Sequence, residues 1–286
     1  MTTHRTVTVA ALQDAFETWN LQDNIDRIVA AARQAASQGA QVILPPELFQ
    51  GPYFCKEERA EFFAAAYPAT EHPAVVAMQQ VARETGTVIP TSIFERDGQH
   101  YYNSLVTIDA DGSILGLYRK SHIPDGPGYE EKFYFRPGNT GFKVWHTRFG
   151  CLGVGICWDQ WFPECARSMV LMGAEVLLYP TAIGSEPQEP NLDTRPLWMR
   201  AMLGHAVCNV VPVVAANRIG NEEGQKFYGT SFICDHRGEL LTQGAIDQPE
   251  ILMAQLDLTQ TALDRASFGF FRDRRPEFYG ALGTSA

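Results

Sequence analysis

The sequence predicts a single-domain, layered α/β fold with strands within and helices outside, on three observations. Short apolar runs alternate with stretches whose apolar residues recur at helical spacing, the pattern of βαβ units. Hairpin-like strand pairs stand among those units, so hairpins and crossover helices are mixed. No Gly/Ser-rich linker divides the 286 residues, and no solenoid period repeats along them.

The elements follow in order. Thr6 to Leu12 reads as a strand that passes through Asp23-Asn24 into a helix from about Ile25 to Gln38. That helix has Ile25, Ile28, Val29 and Ala32 on one face and Gly39 as its stop. The next strand, Val42-Ile43-Leu44, delivers Glu47 just past its carboxyl end, where α/β sheets bind ligands. Pro73 opens a second helix stopped by Gly86, and Thr87 to Phe94 reads as a strand. Tyr101 to Ile108 and Ile114 to Tyr118 form a hairpin around Asp109-Gly112, which puts Arg119 and Lys120 at a strand end. The turn formers from His122 to Tyr129 predict a surface loop folding back over whatever Lys120 points into.

A further pair, Phe142 to His146 and Cys151 to Ile156, ends at Cys157. With Pro163-Glu164 opening a helix to Met172, Cys157 falls at a strand-to-helix elbow, near the positive end of a helix dipole and beside the small residues Gly153 and Gly155. A buried, inert thiol is the plainer reading of such a residue. Then come a strand from Val176 to Tyr179, a loop from Pro180 to Pro196, a helix from Leu197 to Cys208 and a strand from Pro212 to Ala216. Late strands are expected at Phe227 to Cys234, closed by the Asp235-Gly238 turn, and at Ile251 to Leu256. The tail from about 263 to 286, with Phe268, Phe270, Phe271, Arg272, Arg274 and Arg275, is neither a core strand nor a linker, and is expected to pack on a neighbouring subunit.

Composition narrows the function. Residues are 45% hydrophobic and 20% charged, an ordinary globular balance, and the net charge of -10 argues against nucleic acid and weakly favours cationic or neutral ligands. No apolar run approaches a membrane span, and the first residues run straight into a strand, so a cytoplasmic location without a membrane partner is expected. Six scattered cysteines read as reduced thiols. His146, Cys151 and Cys157 lie near one another in sequence but lack metal-ligand spacing, and nothing requires a metal or cofactor.

Three reactive groups therefore stand at predicted strand ends: Glu47, Lys120 and Cys157. Each has a dull alternative, as a turn cap, a solvated charge and a core thiol. Each also follows an apolar strand, where a charge must emerge at a cleft or be paired. In one cleft the ammonium would favour a thiolate and an oxyanion, and the carboxylate could move protons.

The blocks Leu44-Pro45-Pro46-Glu47-Leu48-Phe49, Tyr118-Arg119-Lys120-Ser121-His122 and Gly155-Ile156-Cys157-Trp158-Asp159 with Phe162-Pro163-Glu164 resemble the signatures of the nitrilase (carbon-nitrogen hydrolase) superfamily, over nearly the whole chain. The resemblance implies a four-layer α-β-β-α sandwich that pairs through its outer helices into a homodimer or larger homo-oligomer. It also implies Glu47 as general base, Lys120 as oxyanion stabiliser, Cys157 as nucleophile and the Trp158 backbone N–H as second oxyanion donor. For the family's second glutamate Glu131 is the better match, with Glu130 adjacent. A papain-like enzyme is the rival for a catalytic cysteine, but it needs a histidine base and a cysteine signature absent here.

For substrate, the segments His122 to Tyr129, Glu131 to Phe135 and Pro180 to Pro187 look most similar to the branch that hydrolyses N-carbamoylputrescine to putrescine, ammonia and carbon dioxide. Such a small cationic ureido substrate must have its ammonium met by carboxylate or aromatic faces. Glu186 is the expected ammonium ligand, with Tyr53, Tyr129 and Trp158 along the aliphatic chain. The alternative is an N-carbamoyl amino-acid amidohydrolase, which must bind a carboxylate, and Arg195 is the candidate for that. A catalytically silent binding or scaffold protein is the reading from another class.

Overall fold

The computed structural model describes residues 4–284. The chain runs β1 (Thr6–Gln13), α1 (Leu21–Ser37), β2 (Val42–Leu44), α2 (Pro73–Thr85), β3 (Ile89–Asp97), β4 (His100–Ile108), β5 (Ile114–Arg119) and a single helical turn α3 (Glu131–Tyr134). It continues with β6 (Val144–Thr147), β7 (Gly150–Val154), α4 (Pro163–Leu171), β8 (Val176–Thr181), α5 (Arg195–Asn209) and β9 (Val213–Asn217). The last elements are β10 (Ile219–Glu222), β11 (Gln225–Tyr228), β12 (Phe232–Cys234), β13 (Leu240–Gln243), β14 (Glu250–Asp257) and α6 (Leu258–Phe268).

Two sheets face each other. One runs β14-β1-β2 and continues, through a parallel bridge between Val42 and Val88, into β3-β4-β5. The other has the order β13-β12-β9-β8-β7-β6. The period of two in each strand sorts side chains between layers. Val7, Val9 and Ala11 of β1 meet Leu152, Val154, Val214 and Ala216 of the second sheet in the central core. The intervening Ala10 and Leu12 turn outward onto Ile25 and Ile28 of α1 and Val75 and Met78 of α2. On the far side Leu177, Tyr179, Val213 and Ala215 pack against Cys165 and Met169 of α4 and Trp198 and Met202 of α5. Helix, sheet, sheet, helix is the α-β-β-α sandwich.

The structure corrects several element boundaries. Helix α1 starts four residues before Ile25, because the Asn20 side chain caps it by accepting from the N–H groups of Gln22 and Asp23. Arg195 is not a loop residue; it opens α5. The strand expected from Phe227 to Cys234 is two strands, broken where Gly229 and Thr230 both take left-handed backbone at φ +50° and +51°. Strands β10 and β13 were not anticipated, nor was α6, which begins the expected tail with Asp257 as its N-cap and Gly269 as its left-handed stop. Beyond α6 the rings of Phe270 and Phe278 and the side chain of Leu282 stand exposed. Among the described residues no helix is long and apolar enough to cross a membrane.

Candidate active site

Strand ends from both sheets bring the expected residues together. Glu47 follows β2 and Lys120 follows β5 in the first sheet, and Cys157 follows β7 in the second. Lys120 is fixed through its backbone: its N–H donates to Asn103 O at 2.8 Å, and its carbonyl accepts the Gly138 N–H at 2.8 Å. Glycine is required there, since a Cβ on residue 138 would lie 2.0 Å from the carbonyl oxygen of Arg119.

The Lys120 ammonium sits between two carboxylates. Nζ donates to Glu47 Oε1 at 2.9 Å and to Glu131 Oε1 and Oε2 at 2.9 and 2.7 Å, with all three side chains fully buried. Glu130 lies beside this set, its backbone N–H donating to Cys55 O, so it is the Glu131 carboxylate that meets the lysine. Burial works against the lysine's charge, but the pull of Glu131 and Glu47 outweighs it and holds the ammonium well above its ordinary pKa. Burial also pushes the Glu131 carboxyl up, with Lys120 opposing and Glu47 reinforcing the shift. Asn103 Nδ2 donates to Glu47 Oε1 at 2.6 Å, whereas Glu47 Oε2 is buried with no hydrogen-bond partner.

Cys157 adopts φ +42°, a left-handed backbone that costs a residue with a Cβ about 1–2 kcal/mol. Its turn is held by Asp159, whose Oδ2 accepts from the Ile156 N–H at 3.0 Å and the Tyr118 hydroxyl at 2.7 Å. Oδ1 accepts from the His122 N–H at 3.0 Å, so one carboxylate ties the cysteine turn to the lysine strand. The helix at Cys157 is a single 3-10 turn over Cys157–Trp161; α4 begins only at Pro163. The expected help from a long helix dipole is therefore missing. Burial pushes the thiol well above its ordinary pKa, Glu47 adds to the shift, and Lys120 opposes it without prevailing. Burial thus favours the neutral thiol over the thiolate at this position.

Beyond Cys157 opens a cavity of about 160 Å³, lined among others by Tyr129, Trp158, Trp161, Asp125 and Glu186. Its size suits a ligand well below the usual drug-sized range. The loop from Pro124 to Tyr129 forms one wall, as its position after Lys120 suggested. Glu186 is half-buried, and burial raises its carboxyl pKa. Tyr53 does not line this space: it is fully buried behind the carboxylates and donates its hydroxyl to Glu131 Oε1 at 2.6 Å. Arg195 is elsewhere too, paired with Asp193 at 2.8 Å and facing a separate cavity. Sequence reading missed Asn103 and gave Asp159 no role, although Asp159 stands in the block quoted with Cys157.

A sandwich of this kind, with a buried carboxylate-ammonium-carboxylate set beside a cysteine on a strained turn, defines the class of cysteine-dependent amidohydrolases. The carbon-nitrogen hydrolase family model matches residues 8–266, and the chain belongs to that family, within the nitrilase superfamily. It is 53% identical to an N-carbamoylputrescine amidase of Arabidopsis thaliana, covering 98% of this chain and 96% of the relative. A citrullinase of Francisella tularensis is 48% identical, over 96% of this chain and 98% of that one. Among solved structures, a carbon-nitrogen hydrolase from Helicobacter pylori superposes with a TM-score of 0.92 at 36% identity, covering 98% of this chain and 99% of the other. A variant of the amidase from Nesterenkonia sp. AN1, showing covalent addition of an acetamide moiety at its active-site cysteine, gives 0.79 at 27% identity, over 96% and 95% of the two chains.

Proposed function

We propose that this chain, acting as one hydrolase domain, converts N-carbamoylputrescine to putrescine, ammonia and carbon dioxide through a cysteine thioester. The observation that carries the reading is the charge of the cavity beside Cys157. Among the described residues its lining holds two carboxylates, Asp125 and Glu186, with aromatic faces from Tyr129, Trp158 and Trp161, and no lysine or arginine. That environment suits an alkylammonium and disfavours the carboxylate of an N-carbamoyl amino acid.

In the mechanism, Glu47 Oε2 takes the Cys157 proton as sulfur bonds to the ureido carbonyl carbon. The carbonyl oxygen becomes an oxyanion stabilised by Lys120 Nζ and the Trp158 N–H. The carbon-nitrogen bond to the terminal amino group then breaks, and Glu47 returns the proton so that ammonia leaves. Glu47 next takes a proton from water as its oxygen adds to the thioester carbon. Glu47 gives that proton to the sulfur as the adduct collapses, which frees the Cys157 thiol and a carbamic acid; the carbamic acid loses carbon dioxide to leave the diamine.

The distal ammonium pairs with Glu186 in this reading. Glu186→Gln is expected to raise the KM for N-carbamoylputrescine about tenfold or more with kcat little changed, the signature of lost uniform binding. The wild-type KM should also rise on acidification. Glu186 holds the cation only when ionised, and its raised pKa brings protonation in at higher pH than for an ordinary glutamate. In the Gln variant that part of the pH dependence should vanish. An unchanged KM across both comparisons would remove Glu186 from the substrate site.

The assembly proposed with this activity is a homodimer or larger. Its support is the exposed apolar surface of Leu263, Phe268, Phe278 and Leu282 at the C-terminal end. Sedimentation at micromolar concentration should give at least a dimer; a monomer refutes it.

A further inference from the structure

The β10–β11 hairpin meets the site from behind at two places. At the end of β10, Glu222 accepts the backbone N–H of Tyr53, and its Oε1 lies 3.1 Å from Nη2 of Arg218. Arg218 is fully buried among the rings of Phe16, Tyr53 and Phe227, at 5.2, 6.0 and 5.1 Å from their centroids, and donates to Gly51 O at 2.8 Å. The Tyr53 hydroxyl in turn donates to Glu131, which holds Lys120.

At the start of β11, Gln225 Nε2 donates to the Tyr129 hydroxyl and to Ser185 O, both at 2.9 Å. The same loop is bound to β11 through its backbone, with Ser185 N–H on Lys226 O at 2.7 Å, and Gly184 N–H donates to the Tyr129 hydroxyl at 3.0 Å. Glu186 is the next residue along.

These contacts are poor devices for stability. A buried ion pair commonly adds nothing over apolar residues of the same volume, and Gln225 Oε1 is buried with no partner at all. What they share is a direction, toward one group of the chemical step and one of the ammonium end.

We propose that the turn end of the hairpin is a positioning element with two side-chain arms. Glu222, through Tyr53, sets the orientation of Glu131 and Lys120 for chemistry; Gln225, through Tyr129 and Ser185, sets the placement of Glu186 for the substrate's ammonium. The second half rests on the functional reading above. Glu222 and Gln225 stand opposite each other across the hairpin, next to the turn that Lys56 pins by pairing with Glu223 at 2.7 Å, but their side chains reach different groups, Tyr53 N–H and the Tyr129 hydroxyl, so the two can be substituted separately.

The test must separate a lost charge from a lost acceptor. In an Arg218→Met background, which leaves no buried charge unpaired, Glu222→Gln keeps an oxygen for the Tyr53 N–H and Glu222→Leu does not. Both remove the same charge. Steady-state ammonia release from N-carbamoylputrescine should show the Gln protein within about threefold of wild type in kcat. The Leu protein should fall on the order of thirtyfold at unchanged KM, since a misplacement of about 1 Å can cost 10²-fold. Gln225→Leu should do the opposite, raising KM about tenfold at unchanged kcat. Equal kcat for the Gln and Leu proteins, or KM and kcat moving together in both arms, overturns the proposal. A wild type that releases no ammonia from this substrate instead overturns the functional reading, and the Gln225 half with it. The Glu222 half is then read from the rate at which iodoacetamide alkylates Cys157, slower in the Leu than in the Gln protein if it holds and equal if it fails.

Discussion

Cys157→Ala should abolish ammonia release, by at least about a thousandfold in kcat, while the protein melts within a few degrees of wild type. Both halves of that expectation follow from local geometry. The thiol makes one weak contact, to Ala182 O at 3.9 Å, and Asp159 holds the turn through backbone N–H groups that alanine leaves in place. Alanine has a Cβ as cysteine does, so the left-handed backbone at residue 157 is no more strained than before. No other described cysteine can substitute: Cys55, Cys151, Cys165 and Cys234 are buried apart from the cavity lining, and Cys208 is on the surface. Residual turnover above a thousandth of wild type would argue against a covalent route through this sulfur. Thiol labelling gives a parallel reading, but exposed Cys208 will label as well, so Cys157 must be followed by its own peptide.

Lys120→Met should be the reverse case, a protein that loses activity and stability together. The ammonium is the partner of two fully buried carboxylates at 2.7 to 2.9 Å. Without it Glu47 and Glu131 are two buried carboxylates with no cation between them, and at least one must take up a proton or draw in water. Breaking a buried pair from one side costs about 3–5 kcal/mol. For a domain of this size that corresponds to a fall in Tm of roughly 10 °C. Because the stranded carboxylates are neutralised by acid, the deficit relative to wild type should shrink as pH is lowered. A thermal melt series against pH reads this directly; a Lys120→Met protein as stable as wild type at neutral pH would mean that the carboxylates are not held by this charge.

That Glu47, Lys120 and Cys157 come together was legible in the sequence because they obey one rule. A charged or nucleophilic residue just after an apolar strand has to reach a cleft or be paired; Cys157 does the first, and Glu47 and Lys120 do the second. The supporting residues follow no such rule. Tyr53 sits after Gly51-Pro52 in what reads as loop, and nothing local shows that its hydroxyl turns inward to Glu131 rather than outward to substrate. Strand β10 has only Ile219 to suggest a buried face, because its Glu222 is there to meet Arg218 and the Tyr53 backbone, a contact across 169 positions. Helix α6 was hidden for another reason. Its cap, Asp257 with Gln260 three residues on, is readable, but the aromatic and basic residues just beyond drew the segment into the tail. Contacts remote in sequence, not weak propensities, account for most of what was missed.

Among the described residues five without a glycine's freedom take left-handed backbone, and two of them are Cys157 and Leu48, the residue immediately after Glu47. Glu47 and the Cys157 sulfur thus each stand at a kink that carries a backbone penalty. A variant with glycine at 48 would remove the steric penalty there and loosen the very peptide that aims the carboxylate. Attempts to make this enzyme hardier by relieving backbone strain should therefore leave these two positions alone and look to Val210, left-handed as well but at the C-cap of α5, outside the Glu47–Lys120–Cys157 set.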